Sequence, residues 1–147
     1  MRLLGAVVAS VLLLLAATAA VAAEVPLEVR TGSLVVEANF NRRFTGRFLL
    51  DTGATYCVLG EEVARQARIK GRSGGEEIRL LTANGPVRAH LGEARKVELG
   101  RAAARNVAVA VVADNPVHGL DGIIGLSFLQ GFVYTVDVEA GVLRLED

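Results

Sequence analysis

The residues that could do chemistry stand together at Asp51-Thr52-Gly53-Ala54, directly after the continuously apolar Phe48-Leu49-Leu50. An aspartate delivered at the end of a buried strand, followed by a hydroxyl and a glycine, has two uses. It can be half of a hydrolytic centre, in which an ionised carboxylate takes a proton from water while a protonated one hydrogen-bonds a carbonyl under attack. It can equally be a strand-ending turn, in which the aspartate caps backbone amides and the glycine supplies a positive φ. Taken alone, the tripeptide favours the turn. Hydrolysis needs two carboxylates close enough to share a proton, and the 147 residues contain no second Asp-Thr-Gly or Asp-Ser-Gly. For the hydrolytic use, the second carboxylate must be Asp51 of another copy across a two-fold axis. Gly53 would then permit the close backbone approach that a β-carbon obstructs.

Other candidates carry less. Asp121 precedes Gly122, and Asp-Gly most simply makes a turn rather than a second acid. His90 and His118 lie far apart with no third ligand at metal spacing, so no metal and no cofactor are expected. Cys57, between Tyr56 and Val58 on a strand-like segment, reads as a small buried apolar residue rather than a nucleophile. Lysine plus arginine equal aspartate plus glutamate, 16 each, so charge recruits neither nucleic acid nor an anionic membrane.

The elements that must position Asp51 are mostly strands. Val25, Leu27 and Val29 alternate, as do Leu34, Val36, Ala38 and Phe40, with a turn at Thr31-Gly32-Ser33 between them. A turn at Asn41-Arg42-Arg43 leads into a strand over 44–50 that is apolar throughout its end, as if buried on both faces. Residues 61–69 carry the one extended helical pattern, and 71–75 form a flexible connection. Ile78 and Leu80, then Val87, Ala89 and Leu91, flank Asn84-Gly85, a strong hairpin signal. Separate strands are expected over 94–99 and 106–113, then Ile123-Ile124-Gly125, a helical turn at 127–130 and a final hairpin turning at Glu139-Ala140-Gly141. Together these make an all-β, closed barrel-like single domain over 24–147 with one or two short helices.

The first 23 residues differ. Arg2 is their only charge, and an apolar run through Val11-Leu12-Leu13-Leu14-Leu15 leads into Val21-Ala22-Ala23. This is the pattern of an export signal cleaved before Glu24. Its apolar length is near the roughly 20 residues that span a bilayer, so an uncleaved N-terminal membrane anchor is the alternative. In either case the domain faces an oxidising compartment, where one cysteine cannot form an internal disulfide.

In order along the chain, the Asp-Thr-Gly after an apolar strand, the hairpin bearing Thr82-Ala83-Asn84-Gly85, and Ile123-Ile124-Gly125 before a short helix resemble the retropepsin-like (clan AA) aspartic proteases. The segment from Asp121 through Phe128 and Leu129 is most similar to bacterial exported members, and the resemblance covers nearly all of the chain from Glu24 onward. It implies an aspartic endopeptidase with the retropepsin (acid protease) fold, functional as a homodimer, in the periplasm or secreted, or anchored to the inner membrane. By this resemblance Asp51, Thr52 and Gly53 are catalytic, with Thr52 hydrogen-bonding across the dimer beneath the aspartates. Ala83, Asn84 and Gly85 form a flap over a peptide or protein substrate held extended, and Ala54, Ile124 and Gly125 are framework beside the loop. The chain departs from viral members at Leu126, where they carry an arginine that braces the dimer. The viral interface is therefore not implied, although the strand at 142–145 could pair with its mate. A non-catalytic dimeric peptide-binding module with the same fold is the competing expectation. N-terminal sequencing of the exported chain should read Glu24 first; intact Met1 chains found only in the membrane fraction would establish the anchor instead.

Overall fold

The computed structural model describes residues 22–71 and 75–147. The leader at 1–23 thus falls almost wholly outside the described residues, as does most of the connection at 71–75. Among the described residues no helix is long and apolar enough to cross a membrane.

Among the described residues twelve strands and two short helices follow one another: β1 (Ala23–Pro26), β2 (Glu28–Arg30), β3 (Ser33–Phe40), β4 (Phe44–Leu50), β5 (Cys57–Gly60), α1 (Glu61–Gln66), β6 (Lys70–Gly71), β7 (Glu77–Thr82), β8 (Gly85–Leu99), β9 (Ala102–Val112), β10 (Gly122–Ile124), α2 (Leu126–Leu129), β11 (Val133–Asp137) and β12 (Val142–Glu146). Nine strands form one sheet in the order β2-β3-β4-β10-β5-β9-β8-β6, with β7 also on β8. Because β3 pairs with β8 through Asn39↔Glu98 and Phe40↔Val97, the sheet closes on itself. The expected all-β barrel is what the chain forms.

Closure surrounds an apolar interior. Phe40 and Phe48 are fully buried, with ring centroids 5.1 Å apart, and Phe44 meets Phe48 edge-on at 6.4 Å. They come from the hairpin β3–β4, whose register pairs Val36 with Phe48 and Phe40 with Phe44. The period-two pattern thereby places both large rings on the inner face.

Three expectations are corrected. The strand expected over 25–29 is two: β1 pairs with β12 and β2 with β3, and between them the Leu27 N–H donates to Gly141 O at 2.9 Å. Alternation alone could not show this change of partner. The helix expected to reach Ile69 ends at Gln66, because Arg68 takes a φ of 51° and the Ile69 N–H turns back to Ala64 O. The strand expected over 94–99 is the lower half of the 15-residue β8, which pairs with β7 from Gly85 to His90 and with β9 from His90 to Leu99. A hairpin arm and a barrel wall are therefore one strand.

The second sheet has the order β1-β12-β11. Leu143 and Leu145 of β12 are buried with Val25 of β1, so one face of this sheet closes the core. On the other face Arg144 donates from Nε to Glu24 at 3.2 Å and from Nη1 to Asp137 at 3.0 Å. The Ala140 N–H and then Arg144 hold the Asp137 carboxyl below its ordinary pKa. The strand at 142–145, which could have paired with its mate, is occupied within its own chain: β12 has β1 on one side and β11 on the other.

Phe48 is the ring around which the barrel is packed, so Phe48→Ala should destabilise the domain by about 3–5 kcal/mol. Urea denaturation would read this as a lowered midpoint.

Candidate active site

The site is built by a crossing. Strands β4 and β5, which flank the Asp51 loop, are not paired to each other; β10 lies between them. It runs parallel to β4 through Gly122↔Phe48, Ile123↔Leu49 and Ile124↔Leu50, and antiparallel to β5 through Gly122↔Leu59 and Ile123↔Val58. The loop from Asp51 to Tyr56 must therefore pass over the junction of β10 and α2.

Hydrogen bonds fix it there. The Asp51 N–H donates to Ile124 O at 3.0 Å, the Leu126 N–H to Ala54 O at 2.8 Å, and the Ser127 N–H to Thr55 O at 2.9 Å. Gly125 is the point of closest approach: a β-carbon there would lie 2.3 Å from Tyr56 O and 2.7 Å from Ala54 O. Ile124 and Gly125 thus form the floor on which the loop rests, and Ala54 is the loop residue held down to it by the Leu126 N–H.

Asp51 is half-buried, whereas Thr52 and Gly53 are exposed at the loop tip. The Gly53 N–H donates to Asp51 Oδ1 at 2.8 Å and orients the carboxylate. A strand-ending turn would use Gly53 for a positive φ, yet Gly53 is not among the residues that adopt one. What the position restricts is bulk, since an added β-carbon would sit 3.2 Å from that carboxylate oxygen.

The hairpin β7–β8 carries Ala83, Asn84 and Gly85 at its tip, between Thr82 and Pro86. Thr82 Oγ1 donates to Gly85 O at 2.7 Å and accepts the Asn84 N–H at 3.2 Å, while Gly85 takes the positive φ the turn needs. At the hairpin's base Ile78 and Leu80 pack on a cluster of Val58, Ala89, Ala110 and Val112 that also receives Tyr56 and Ile123. The arms of the hairpin and the end of the Asp51 loop are hence founded on one apolar cluster.

A family model described as "Aspartyl protease" matches residues 36–128, a span that takes in the loop, the hairpin and most of α2. The chain belongs to the aspartyl protease family. Its fold is similar to a retropepsin-like aspartic protease from Rickettsia conorii, with a TM-score of 0.64 and 24% identity over 86% of this chain and 92% of that one. It is also similar to an aspartic proteinase from Irpex lacteus, with a TM-score of 0.59 and 22% identity over 84% of this chain and 34% of that one. This chain thus spans about a third of the Irpex lacteus protein. No curated protein matches the sequence.

Within this aspartyl protease domain, Asp121 is part of the framework. Its Oδ2 accepts the Arg47 N–H at 2.8 Å, and its own N–H donates to Arg47 O at 2.8 Å. The pair extends the contact of β10 with β4 at the end remote from Asp51, and Gly46 leaves room for the carboxylate. His90 and His118 are exposed, and among the described residues no three side chains of metal-binding type cluster. Cys57 is fully buried, and burial pushes its thiol pKa up, which keeps it neutral and apolar in behaviour.

One framework residue escaped the sequence pattern. Ser127 Oγ accepts the Cys57 N–H at 2.8 Å and donates to Ala108 O at 2.7 Å. One hydroxyl therefore ties α2 to β5 and β9 directly behind the loop. The available signal was a lone hydroxyl in an otherwise apolar stretch after Gly125, where a backbone partner is the usual destination. Ser127→Ala would leave a backbone donor and an acceptor without that partner, and should lower stability by about 1–3 kcal/mol. The urea midpoint should fall with an unchanged slope.

Proposed function

We propose that this chain is an exported aspartic endopeptidase whose active centre is a pair of Asp51 carboxylates in a homodimer. The observation that carries this is the carboxylate of Asp51, oriented by the Gly53 N–H on a loop locked over the β10–α2 junction. Membership of the aspartyl protease family supports it.

In the dimer the two carboxylates share one proton. The ionised member takes a proton from a water as its oxygen bonds to the scissile carbonyl carbon, and the protonated member donates to the carbonyl oxygen. The tetrahedral intermediate collapses with proton transfer to the departing nitrogen, releasing an amine and a carboxylic acid. Gly53 lets the two loops approach, and the Thr52 hydroxyls support the aspartates by bonding across the axis. The hairpin tip at Ala83, Asn84 and Gly85 closes over a peptide held in extended conformation. The leader directs the domain to the periplasm or the exterior.

Asp51→Asn keeps the shape of the side chain and removes both carboxylates of the dimer at once. Cleavage of an unfolded protein substrate should drop by about 10²- to 10⁴-fold, the scale of acid–base catalysis, while fold and dimer persist. Parent activity should also decline as pH rises, because a dyad with both members ionised has no acid. Undiminished cleavage by the asparagine variant, after a contaminating protease is excluded, would leave the peptide-binding module as the better account.

A further inference from the structure

The balance of 16 cations against 16 anions over the whole chain conceals where folding puts them. Asn41 is a junction of three segments. Its N–H donates to Lys96 O at 2.8 Å, its Nδ2 donates to Ala67 O at 2.9 Å, and its Oδ1 accepts the Lys96 N–H at 3.1 Å. The chain neighbours of these three residues are Arg42 and Arg43 in the β3–β4 turn, Arg68 after α1, and Arg95 on β8, all exposed. Arg105, also exposed, stands directly opposite Lys96 on β9. The acid set among these cations is Glu98, ion-paired to Lys96 and Arg42. Lys96 first, then Arg42 and Arg105, hold its carboxyl below the ordinary value. Glu37, opposite Arg47 in the ladder, and Glu93, itself engaged, lie at the border. Among the described residues no ion pair occupies Arg43, Arg68 or Arg95. Two of the arginines also sit where the backbone resists them: Arg42 has a φ of 56° and Arg68 a φ of 51°, which glycine would adopt without strain. Keeping a cation at such positions points to a use for the side chain.

We propose that this basic end of the barrel docks the domain on an anionic lipid surface, with Asp51 turned away from it. The proposal goes beyond the catalytic reading and stands without it. Two placements support it. Arg43 precedes β4 and Asp51 follows it, so a strand rising about 3.3 Å per residue sets them about 25 Å apart. Lipid at the Asn41 junction therefore leaves the Asp51 loop open to substrate. The second placement favours lipid over a soluble polyanion. The apolar leader read from the sequence meets the domain at Ala23, where β1 begins with no linker between. Ala23 shares a depression with Arg101, Ala102 and Ala103 at the start of β9, and β9 leads from there to Arg105 in about 10 Å. Asp147 lines the same depression, so the cations that dock are those beyond it, around Asn41. A leader that brings the chain to a bilayer thus delivers it with these arginines close by. Each such cation strengthens attraction to an anionic bilayer about fivefold.

The test is made on the full-length chain in phosphatidylcholine vesicles with or without phosphatidylglycerol. Labelling is selective, because the chain's single cysteine, Cys57, is buried. A polarity-sensitive dye on Gln66→Cys, beside the junction, should shift to the blue when phosphatidylglycerol is present and not in phosphatidylcholine alone. The same dye on Asn84→Cys, at the hairpin tip, should shift in neither. Arg43→Ala combined with Arg95→Ala should lower the ratio of docked to undocked chains by about 25-fold, two cations at about fivefold each, with the urea midpoint unchanged. Arg43→Lys combined with Arg95→Lys should dock like the parent, since lipid phosphates are drawn by charge. An equal shift of the Gln66 dye in neutral vesicles, an equal shift at Asn84, or an alanine variant that docks like the parent would each overturn the proposal. So would soluble polyphosphate shifting the Gln66 dye as far as the anionic vesicles do, which would make a polyanion the partner.

Discussion

The constraint on which the rest depends is the contact between two backbones at Gly125. The loop that presents Asp51 lies so close over this residue that a β-carbon would meet Tyr56 O at 2.3 Å. That proximity lets the Leu126 and Ser127 N–H groups reach Ala54 O and Thr55 O, and the Asp51 N–H reach Ile124 O. A loop that would otherwise leave these carbonyls to water is held by the amides of a helix start, which need acceptors of their own. The position of Asp51 therefore follows from satisfying backbone groups and not from side-chain packing around the carboxylate.

For this crossing to exist, a distant segment must be brought between β4 and β5. The barrel achieves it by placing β10 there, with Ile124 fully buried and with Gly122 lying where a β-carbon would press on Val58 O at 2.4 Å. Ser127 then pins the far side of the crossing to β5 and β9. The same β9 pairs with the lower half of β8, and the upper half of β8 is an arm of the hairpin. Loop, floor and hairpin are in this way attached to a common wall.

Local patterns showed much of this. Alternation marked β3, the apolar end at Phe48-Leu49-Leu50 marked β4, although only Phe48 and Leu50 are buried and Leu49 is half-buried, and Asn84-Gly85 marked the hairpin, because each signal acts within a few residues. The framework role of Gly125 came with a resemblance to a family, and the carbonyls it admits became visible only in three dimensions. What local pattern could not convey was partner choice. Nothing between Val25 and Val29 says that the strand leaves β12 for β3, and nothing in residues 94–99 says that they continue an arm beginning at Gly85. Ser127 was missed for the same reason: its partners, Cys57 and Ala108, are remote in sequence.

The fold also carries little that acid would disturb. Acid unfolds proteins chiefly by protonating carboxylates that are paired or hydrogen-bonded in the native state. Here the carboxyls held below their ordinary values are Glu62, Glu98 and Asp137, by Arg65, Lys96 and the Ala140 N–H respectively. A lowered native pKa contributes stability above the ordinary carboxylate range, and that contribution is lost as pH falls through the native value. All three groups lie at the surface, where such pairs contribute little. Among the described residues the core contains no buried charged or polar side chain, so nothing inside must change protonation as the solution acidifies. Stability then rests on apolar burial and backbone pairing, neither of which titrates.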